Sequence, residues 1–204
     1  MQPNQIISKI EEKFHCKLSH LYLYGSRVYN THTPESDFDF IGVGSIGQDY
    51  LECHHDLELG FDITLYSPAE FQRQIDIHEI SALECLHLPL DQILLNGNEW
   101  HFKLNLHRLR ESISKKSSHA WVKSKKKLAD GEILLAQKSL FHCFRIIGYG
   151  IQIARYNDIV DYESQSYLLK EIQALEPNWN VWQDKYKQQY NNAMTQFRLL
   201  APKV

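Results

Sequence analysis

The sequence predicts an α/β (α+β) domain with a small mixed sheet, followed by an all-α helical bundle. Short apolar runs with strand periodicity alternate with helical patterns in the first half of the 204 residues, whereas the periodic segments after residue 99 have helical spacing. The charge changes at the same place. Residues 1–102 contain 5 Lys and Arg against 16 Asp and Glu, and residues 103–204 contain 17 against 9. We therefore expect two domains, residues 1–98 and residues 99–204.

The elements of the first domain follow from local patterns. Residues 5–14 have the apolar spacing of an amphipathic helix, and residues 59–66 alternate apolar and polar side chains like a half-buried strand. Ser67 and Pro68 then supply a capping hydroxyl and a first-turn proline for the next helix. The expected elements are a helix at 5–14, strands at 20–24, 38–43 and 59–66, a short helix at 25–29, a loop with a helical turn at 45–58, helices ending near 76 and 86, and an edge strand at 93–95.

The second domain shows helical signals throughout, and we predict helices at 100–115, 119–129, 132–156, 164–175 and 180–200. The helix at 132–156 carries the longest apolar stripe, from Leu134 and Leu135 to Ala154, and is expected to turn it inward. Trp121 is expected to anchor the core, and a platform for stacking is the less favoured alternative. The same apolar helix would also suit a homo-oligomer.

The segment from Asp37 to Phe40 is a candidate functional site. In a strand, side chains alternate between faces, so Asp37 and Asp39 would share one face about 7 Å apart, while Phe38 and Phe40 would point into a core. Two carboxylates on one sheet face supply the hard oxygen ligands that Mg²⁺ prefers. The pattern therefore indicates a divalent-cation site, and a solvated strand end is its structural alternative.

A Gly-Ser turn precedes this segment, and a third strand follows it. Gly25 permits close approach of the backbone, turn amides attract phosphate, and the Ser26 hydroxyl is a further donor. Asp62 stands among the alternating apolar residues of the strand at 59–66. Carboxylates beside such a turn would hold both divalent cations and a polyphosphate.

The order of Gly25-Ser26, Asp37-x-Asp39 and a third strand with Asp62 resembles the DNA polymerase β-like nucleotidyltransferase superfamily. The resemblance implies that the three aspartates bind two Mg²⁺ ions, with Mn²⁺ as the alternative, and that Asp62 also helps to deprotonate the acceptor. It implies that Gly25 and Ser26 hold the β- and γ-phosphates of a nucleoside triphosphate. The α/β domain would then be the catalytic core.

Two positions near the turn qualify this resemblance. Asn30 stands where the commoner pattern has a glycine, but asparagine tolerates the left-handed conformation, so the turn can be kept. Arg27 follows the turn and is expected either to contact a phosphate or to form a salt bridge with Glu35 or Asp37.

A second resemblance concerns the helical half. The run Ser118-His119-Ala120-Trp121-Val122-Lys123 and the pattern Lys138-x-x-x-His142-x-x-Arg145 resemble predicted nucleotidyltransferases of bacteria and their phages. Lys138, His142 and Arg145 lie at i, i+4 and i+7 and so share one helix face. This resemblance implies that they contact the triphosphate or base, and an ordinary polar face of a bundle helix is the alternative.

Basic residues are concentrated between residues 103 and 128, where nine of them accompany a single acid, Glu111. Such a cluster is either a solvated helix side or a surface that contacts phosphate or nucleic acid. The residues of this candidate acceptor patch are Lys115, Lys116, Lys123, Lys126 and Lys127.

The resemblances imply transfer of a nucleoside monophosphate, AMP from ATP by default, to a hydroxyl acceptor with release of pyrophosphate. RNA or tRNA and a partner protein are the first acceptors to consider. The alternatives are a small-molecule (antibiotic) adenylyltransferase and a non-catalytic nucleotide- or nucleic-acid-binding, antitoxin-like module. A ribonuclease with an Arg-x4–6-His pair is disfavoured, because Arg73 and His78, which have that spacing, lie in the acidic half.

Other features limit the remaining classes of protein. Four scattered cysteines without a C-x-x-C pair, no signal-peptide pattern and no apolar run of membrane-spanning length predict a cytoplasmic protein that does not contact a membrane. Cys53, His54 and His55 lack the paired spacing of a structural zinc site, so zinc is disfavoured.

Overall fold

The computed structural model describes residues 2–203. The chain divides into two compact units, an N-terminal unit that ends at Lys103 and a helical unit that begins at Leu104. The N-terminal unit contains α1 (Pro3–Phe14), β1 (Leu18–Tyr24), a 3₁₀ turn (Gly25–Arg27), β2 (Asp39–Gly44), β3 (Tyr50–Asp56), β4 (Phe61–Tyr66), α2 (Pro68–Asp76), α3 (Ile80–Leu86), a second 3₁₀ turn (Leu90–Gln92) and β5 (Ile93–Leu95). The helical unit contains α4 (Leu106–Ala129), α5 (Ile133–Tyr156), α6 (Tyr167–Gln173) and α7 (Trp179–Leu200). The predicted combination of a small mixed sheet and a helical C-terminal region is confirmed.

The sheet of the N-terminal unit has the strand order β3-β4-β2-β1-β5. Strands β2 and β4 are parallel, and the other neighbouring strands are antiparallel. In the parallel pair Asp39 is opposite Asp62. Because parallel strands start at the same edge of a sheet, the carboxylates of β2 and β4 lie side by side there.

One face of this sheet is covered by α1. Ile6 and Ile10 of the helix pack with the apolar side chains that alternate along the strands. In β4 the alternation is complete, since Phe61, Ile63 and Leu65 are buried and the residues between them are partly exposed. The predicted strand with Asp62 on its opposite face is therefore confirmed.

Capping explains where α2 begins. The Ser67 hydroxyl accepts a hydrogen bond from the amide of Glu70 at 3.2 Å, and Pro68 occupies the first turn, as predicted from the sequence. The strand at 93–95 is also confirmed as an edge strand.

The expectation for residues 45–58 was wrong, because this segment contains strand β3. Its side chains alternate only weakly in polarity, with Leu51 and Cys53 packed against the core and histidines at 54 and 55. Pairing with β4 creates the strand, and an irregularity between Cys53 and Asp56 interrupts that pairing. A strand that forms only by pairing with its neighbour cannot be recognised from its own sequence pattern.

The two helices predicted at 100–115 and 119–129 are one helix, α4. It begins only at Leu106, because the Asn105 side chain caps it by accepting a hydrogen bond from the Arg108 amide at 3.0 Å. The polar residues 116–118 between the two predicted segments lie within the helix. Ser117 is fully buried and contacts Met194 of α7, so a small residue is needed there for close packing.

Helix α5 is the centre of the helical unit and contacts α4, α6 and α7. Its continuous buried face starts at Ala136, whereas Leu134 and Leu135 are 54% and 44% exposed, contrary to expectation. Both leucines lie in the first turn of α5, which begins at Ile133, ahead of that buried face. Trp121 was expected in the core, but it is half-buried, and Trp182 of α7 is the fully buried tryptophan.

Two general properties of the chain are also visible. Across residues 2–203, none of the helices combines the length and apolarity needed to cross a bilayer. All four cysteines are free thiols, and Cys85 and Cys143 are buried.

Gly150→Ala tests the packing of α5. A Cβ at Gly150 would lie 2.9 Å from Ile113 and 3.1 Å from Phe197, on the neighbouring helices. Overpacking costs about 1–3 kcal/mol and exceeds the gain of up to about 1 kcal/mol in helix propensity. We expect a lower free energy of unfolding in urea.

Gly148→Ala is the matched control in the same helix. Its Cβ would meet the flexible side chain of Gln165 at 3.2 Å, so the variant should be as stable as the parent or more so. Equal stability of the two alanine variants would contradict the packing argument.

Candidate active site

The carboxylates of Asp39 and Asp62 are the centre of the site. Asp39 is the first residue of β2, and the Asp62 amide donates a hydrogen bond to the Phe38 carbonyl at 2.9 Å, which fixes the two strand starts together. Oxygen Oδ1 of Asp62 is buried and has no hydrogen-bond partner among the described residues. A buried oxygen without a partner is costly, and a bound cation would satisfy it.

The Gly25 backbone lies directly against this pair. Its φ is +75°, and a Cβ at this position would lie 2.1 Å from Oδ2 of Asp39. Distances under 3 Å between such atoms do not occur without displacement. Only glycine therefore allows both this backbone conformation and this position of the carboxylate.

The turn after Gly25 is stabilised by local hydrogen bonds and by a hydrogen bond to Glu84 of α3. The Val28 amide donates to the Gly25 carbonyl at 3.0 Å, and the Tyr29 hydroxyl donates to the buried Glu84 carboxylate at 2.6 Å. Asn30 has φ +54°, so the left-handed conformation expected for it is confirmed. Ser26 is half-buried, and its carbonyl accepts a hydrogen bond from the next loop.

Asp37 differs from its expected position, because it precedes β2 instead of belonging to it. Its side chain is 53% exposed. Phe38, predicted to point into the core, is 45% exposed and stacks on the buried Phe40 at 6.2 Å. The regular alternation of strand side chains begins only at Asp39, so it does not apply to Asp37 and Phe38.

Arg27 holds this irregular segment in place. Its guanidinium donates to the carbonyls of Ser36 at 2.6 Å and Asp37 at 3.4 Å, and it lies 3.8 Å from the centre of the Phe38 ring. Of the two expectations for Arg27, the salt bridge to Glu35 or Asp37 is not formed in the described part of the chain. Arg27 therefore acts on the backbone that carries Asp37, and the exposed Phe38 ring has a partner in the guanidinium.

His55 is part of the site and was not predicted. Its Nδ1 is 3.5 Å from Oδ2 of Asp37 and 3.8 Å from Oδ1 of Asp62. The residue has φ +38° at the irregularity of β3, and this unusual backbone turns the ring toward the carboxylates. Because β3 itself was missed, the sequence offered no signal for this placement.

The donor set at this edge of the sheet suits a hard divalent cation. Asp39, Asp62 and Asp37 offer carboxylate oxygens, the ligands of Mg²⁺ and Mn²⁺. Within residues 2–203, however, no three His, Cys, Asp or Glu side chains are already grouped closely enough to hold a metal ion. The three aspartates therefore have the right chemistry for a divalent cation. Asp37 differs from the other two because it lies outside the sheet.

The three residues singled out on α5 occupy different environments. Lys138 is exposed, His142 is half-buried, and Arg145 is only 4% exposed. The Arg145 Nε donates to Nδ1 of His142 at 3.1 Å, and the guanidinium lies 5.1 Å from the centre of the Tyr149 ring. The structure thus brings His142 and Arg145 together inside the helical unit and leaves Lys138 on its surface.

The predicted lysine patch is spread along α4. Lys115, Lys123 and Lys126 are exposed, and Lys116 is half-buried. Lys127 is half-buried, and its ammonium binds the Glu132 carboxylate at 2.6 Å.

Gly25→Ala tests the contact with Asp39, and Gly60→Ala is its control. Gly60 has φ +73° but open space around the Cβ position. Both variants should lose about 1–2 kcal/mol from the left-handed backbone. Only Gly25→Ala displaces the Asp39 carboxylate, and it should bind Mn²⁺ about 10- to 100-fold more weakly. Equal Mn²⁺ affinity of the two variants, measured by calorimetry, would contradict this arrangement.

The pH dependence of stability tests the environment of His142. Burial, followed by the charges of Arg145, Lys123 and Lys138, lowers the pKa of His142 well below its ordinary 6.5. As pH falls below 6.5, the unfolded chain binds this proton before the folded chain does, so stability should fall with a slope of up to about 1.4 kcal/mol per pH unit.

His142→Gln should flatten that slope, because glutamine accepts the Arg145 hydrogen bond without titrating. His119→Gln, at an exposed position of α4, is the control and should keep the parent slope. Burial also lowers the pKa of His20, which contributes equally to all three proteins. Parallel curves for the parent and His142→Gln from about one pH unit above 6.5 to about 1.5 units below it would refute the assignment.

Similarity to known proteins covers most of the chain. The sequence model of the nucleotidyltransferase domain family matches residues 4–128. No protein with curated annotation matches the chain. Among solved structures, the crystal structure of a nucleotidyltransferase-like protein from Exiguobacterium sibiricum 255-15 aligns with 97% of this chain and 73% of that chain, at 11% identity and a TM-score of 0.36. The family match extends over more than half of the chain and confirms the resemblance seen in the sequence: this protein belongs to the nucleotidyltransferase domain family.

Proposed function

We propose that this protein transfers a nucleoside monophosphate, AMP from ATP in the first instance, to a hydroxyl acceptor and releases pyrophosphate, in a reaction that depends on divalent cations. The observation that supports this most strongly is the pairing of Asp39 with Asp62 across β2 and β4, with the Gly25 backbone against Asp39. It combines an oxygen-rich cation site with a turn that a phosphate can approach closely.

Asp37, Asp39 and Asp62 are the proposed ligands of two Mg²⁺ or Mn²⁺ ions. When bound, such ions lower the pKa of an acceptor hydroxyl and offset charge on the phosphates. The chain itself positions these ligands. Pairing of β2 with β4 sets Asp39 and Asp62, and Arg27 holds the backbone of Asp37.

The acceptor oxygen forms a bond to the α-phosphorus while the bond to pyrophosphate breaks. Asp62 receives the acceptor proton on the carboxylate oxygen that does not bind a cation. The Gly25 turn admits the β- and γ-phosphates, and the Ser26 hydroxyl donates to them. In-line geometry and charge placement account for most catalysis of this kind.

Residues of the helical unit contribute to phosphate binding in this proposal. Lys138 is exposed, whereas Arg145 is held by His142 within the helical unit. We propose that Lys138 contacts a phosphate. We propose that the hydrogen bond between Arg145 and His142 stabilises the face of α5 that carries Lys138.

The proposed acceptor is an RNA or tRNA end or a hydroxyl on a partner protein, and a small molecule is the remaining enzymatic alternative. The lysines of α4 favour a polyanionic acceptor. A non-catalytic nucleotide-binding module is the second candidate function. It is favoured by one observation, that no three potential ligands are grouped for a metal ion within the described residues 2–203.

Transfer is tested by incubating the protein with each α-labelled nucleoside triphosphate and Mg²⁺, with and without total cellular RNA. Labelled RNA, protein and small molecules are then separated. We expect label from ATP in one acceptor class. Asp39→Asn removes a proposed ligand charge and should reduce labelling at least about 100-fold, because even outer-sphere changes at metal sites cost 10- to 100-fold.

Asp91→Asn, at an exposed position outside the site, is the matched control and should label like the parent. Urea unfolding of both variants checks that the fold is kept. Undiminished labelling by Asp39→Asn would exclude the proposed site. The absence of both label and pyrophosphate release in the parent would favour the binding module.

A further inference from the structure

Helices α4 and α7 display a cluster of three aromatic rings, Trp121, Trp179 and Tyr190. The ring centres of Trp121 and Tyr190 are 4.9 Å apart, and those of Trp121 and Trp179 are 5.5 Å apart. All three side chains are half-buried. Trp182, by contrast, is fully buried in the core of the same unit. The three partly exposed rings therefore form an aromatic patch on the surface of the helical unit.

The edge of this cluster is polar and cationic. The Lys187 ammonium lies 5.1 Å from the centre of the Trp121 ring and 5.4 Å from that of Tyr190. The Tyr190 hydroxyl is 3.2 Å from the Ser118 hydroxyl. Lys125 follows Trp121 by one helical turn and therefore shares its face of α4. Lysine side chains from both helices therefore lie beside the aromatic rings.

The charges around the cluster are strongly unbalanced. Helix α4 carries eight Lys and Arg against one acid, and α7 carries three against one. Lys125 and Lys187 are exposed, and no carboxylate of the described chain lies within salt-bridge distance of either. Lys127, by contrast, is paired with Glu132. The surface keeps uncompensated positive charge next to its aromatic rings.

Charge and rings together favour one class of ligand. A single-stranded nucleic acid offers a phosphate chain for the lysines and unpaired bases for the rings, and each stacked base contributes to affinity without requiring a particular sequence. A duplex hides its base faces, and an acidic protein surface would need only the lysines. The combination of exposed lysines with partly exposed rings therefore suits a single-stranded nucleic acid better than a duplex or an acidic protein surface.

We propose that the surface formed by Trp121, Lys125, Trp179, Lys187 and Tyr190 binds a segment of single-stranded nucleic acid. Bases stack on the aromatic rings, and the two lysines contact phosphates. Insofar as this strand supplies the acceptor hydroxyl, the inference rests on the proposed function. Binding itself requires neither nucleotide nor transfer.

The charge contribution is tested by fluorescence anisotropy with an end-labelled single-stranded RNA of about 12 nucleotides, a length within the usual site sizes for such surfaces. The double variant Lys125→Ala/Lys187→Ala should bind about tenfold more weakly. Its plot of log affinity against log salt should be shallower by about 1.4, since each phosphate contact on a single strand contributes about 0.7. The double variant Lys9→Ala/Lys170→Ala removes two exposed lysines elsewhere and should match the parent in slope.

The ring contribution is tested by Trp179→Ala, with Trp179→Phe as the conservative variant. Loss of one stacked base should weaken binding about 5- to 100-fold with an unchanged salt slope, and phenylalanine should restore most of the affinity. A duplex of the same length should bind more weakly than the single strand and should not respond to Trp179→Ala.

Several outcomes would overturn the inference. They are no binding of the single strand by the parent at low salt, equal weakening by the two lysine double variants, and unchanged affinity of Trp179→Ala. All measurements are repeated in the Asp39→Asn background without nucleotide, where binding should persist. A strand that binds there but is never labelled by the parent protein would reject the proposed transfer to nucleic acid while leaving the surface intact.

Discussion

The contact between the Gly25 backbone and the Asp39 carboxylate is the constraint on which the site depends. It requires a left-handed glycine at the end of β1 and a carboxylate at the start of β2, with no room for a Cβ between them. Parallel pairing of β2 with β4 then places Asp62 beside Asp39. Because strand pairing sets all of these positions, the spacing of the two carboxylates is a property of the sheet and does not depend on a flexible loop.

The remaining parts of the site lie where the sheet is irregular. Asp37 precedes β2 and is held through its carbonyl by Arg27, and His55 reaches the carboxylates from a distorted position in β3. Residues in such conformations need support from their surroundings, and they are common at functional sites. The sheet edge therefore fixes Asp39 and Asp62, and the irregular segments add Asp37 and His55 beside them.

Sequence reasoning found the parts of this arrangement that local patterns determine. Alternation in β4 identified Asp62, the cap at Ser67 identified α2, and the tolerance of asparagine for positive φ explained Asn30. It missed what depends on distant contacts. Strand β3 is ordered by pairing with β4, and the exposed Phe38 ring has its partner in the Arg27 guanidinium. The continuity of α4 through its serines follows from packing of Ser117 against Met194, which no local pattern contains.

The central claim is that the sheet edge at Asp39 and Asp62 holds a nucleoside triphosphate through a divalent cation. Calorimetry with an ATP analogue that cannot be cleaved at the α-phosphorus tests it most directly, with Mg²⁺, with EDTA, and with the Asp62→Asn protein in Mg²⁺. We predict binding in Mg²⁺, loss of binding in EDTA, and affinity at least about tenfold weaker in Asp62→Asn. Equal affinity with Mg²⁺ and with EDTA would contradict the account.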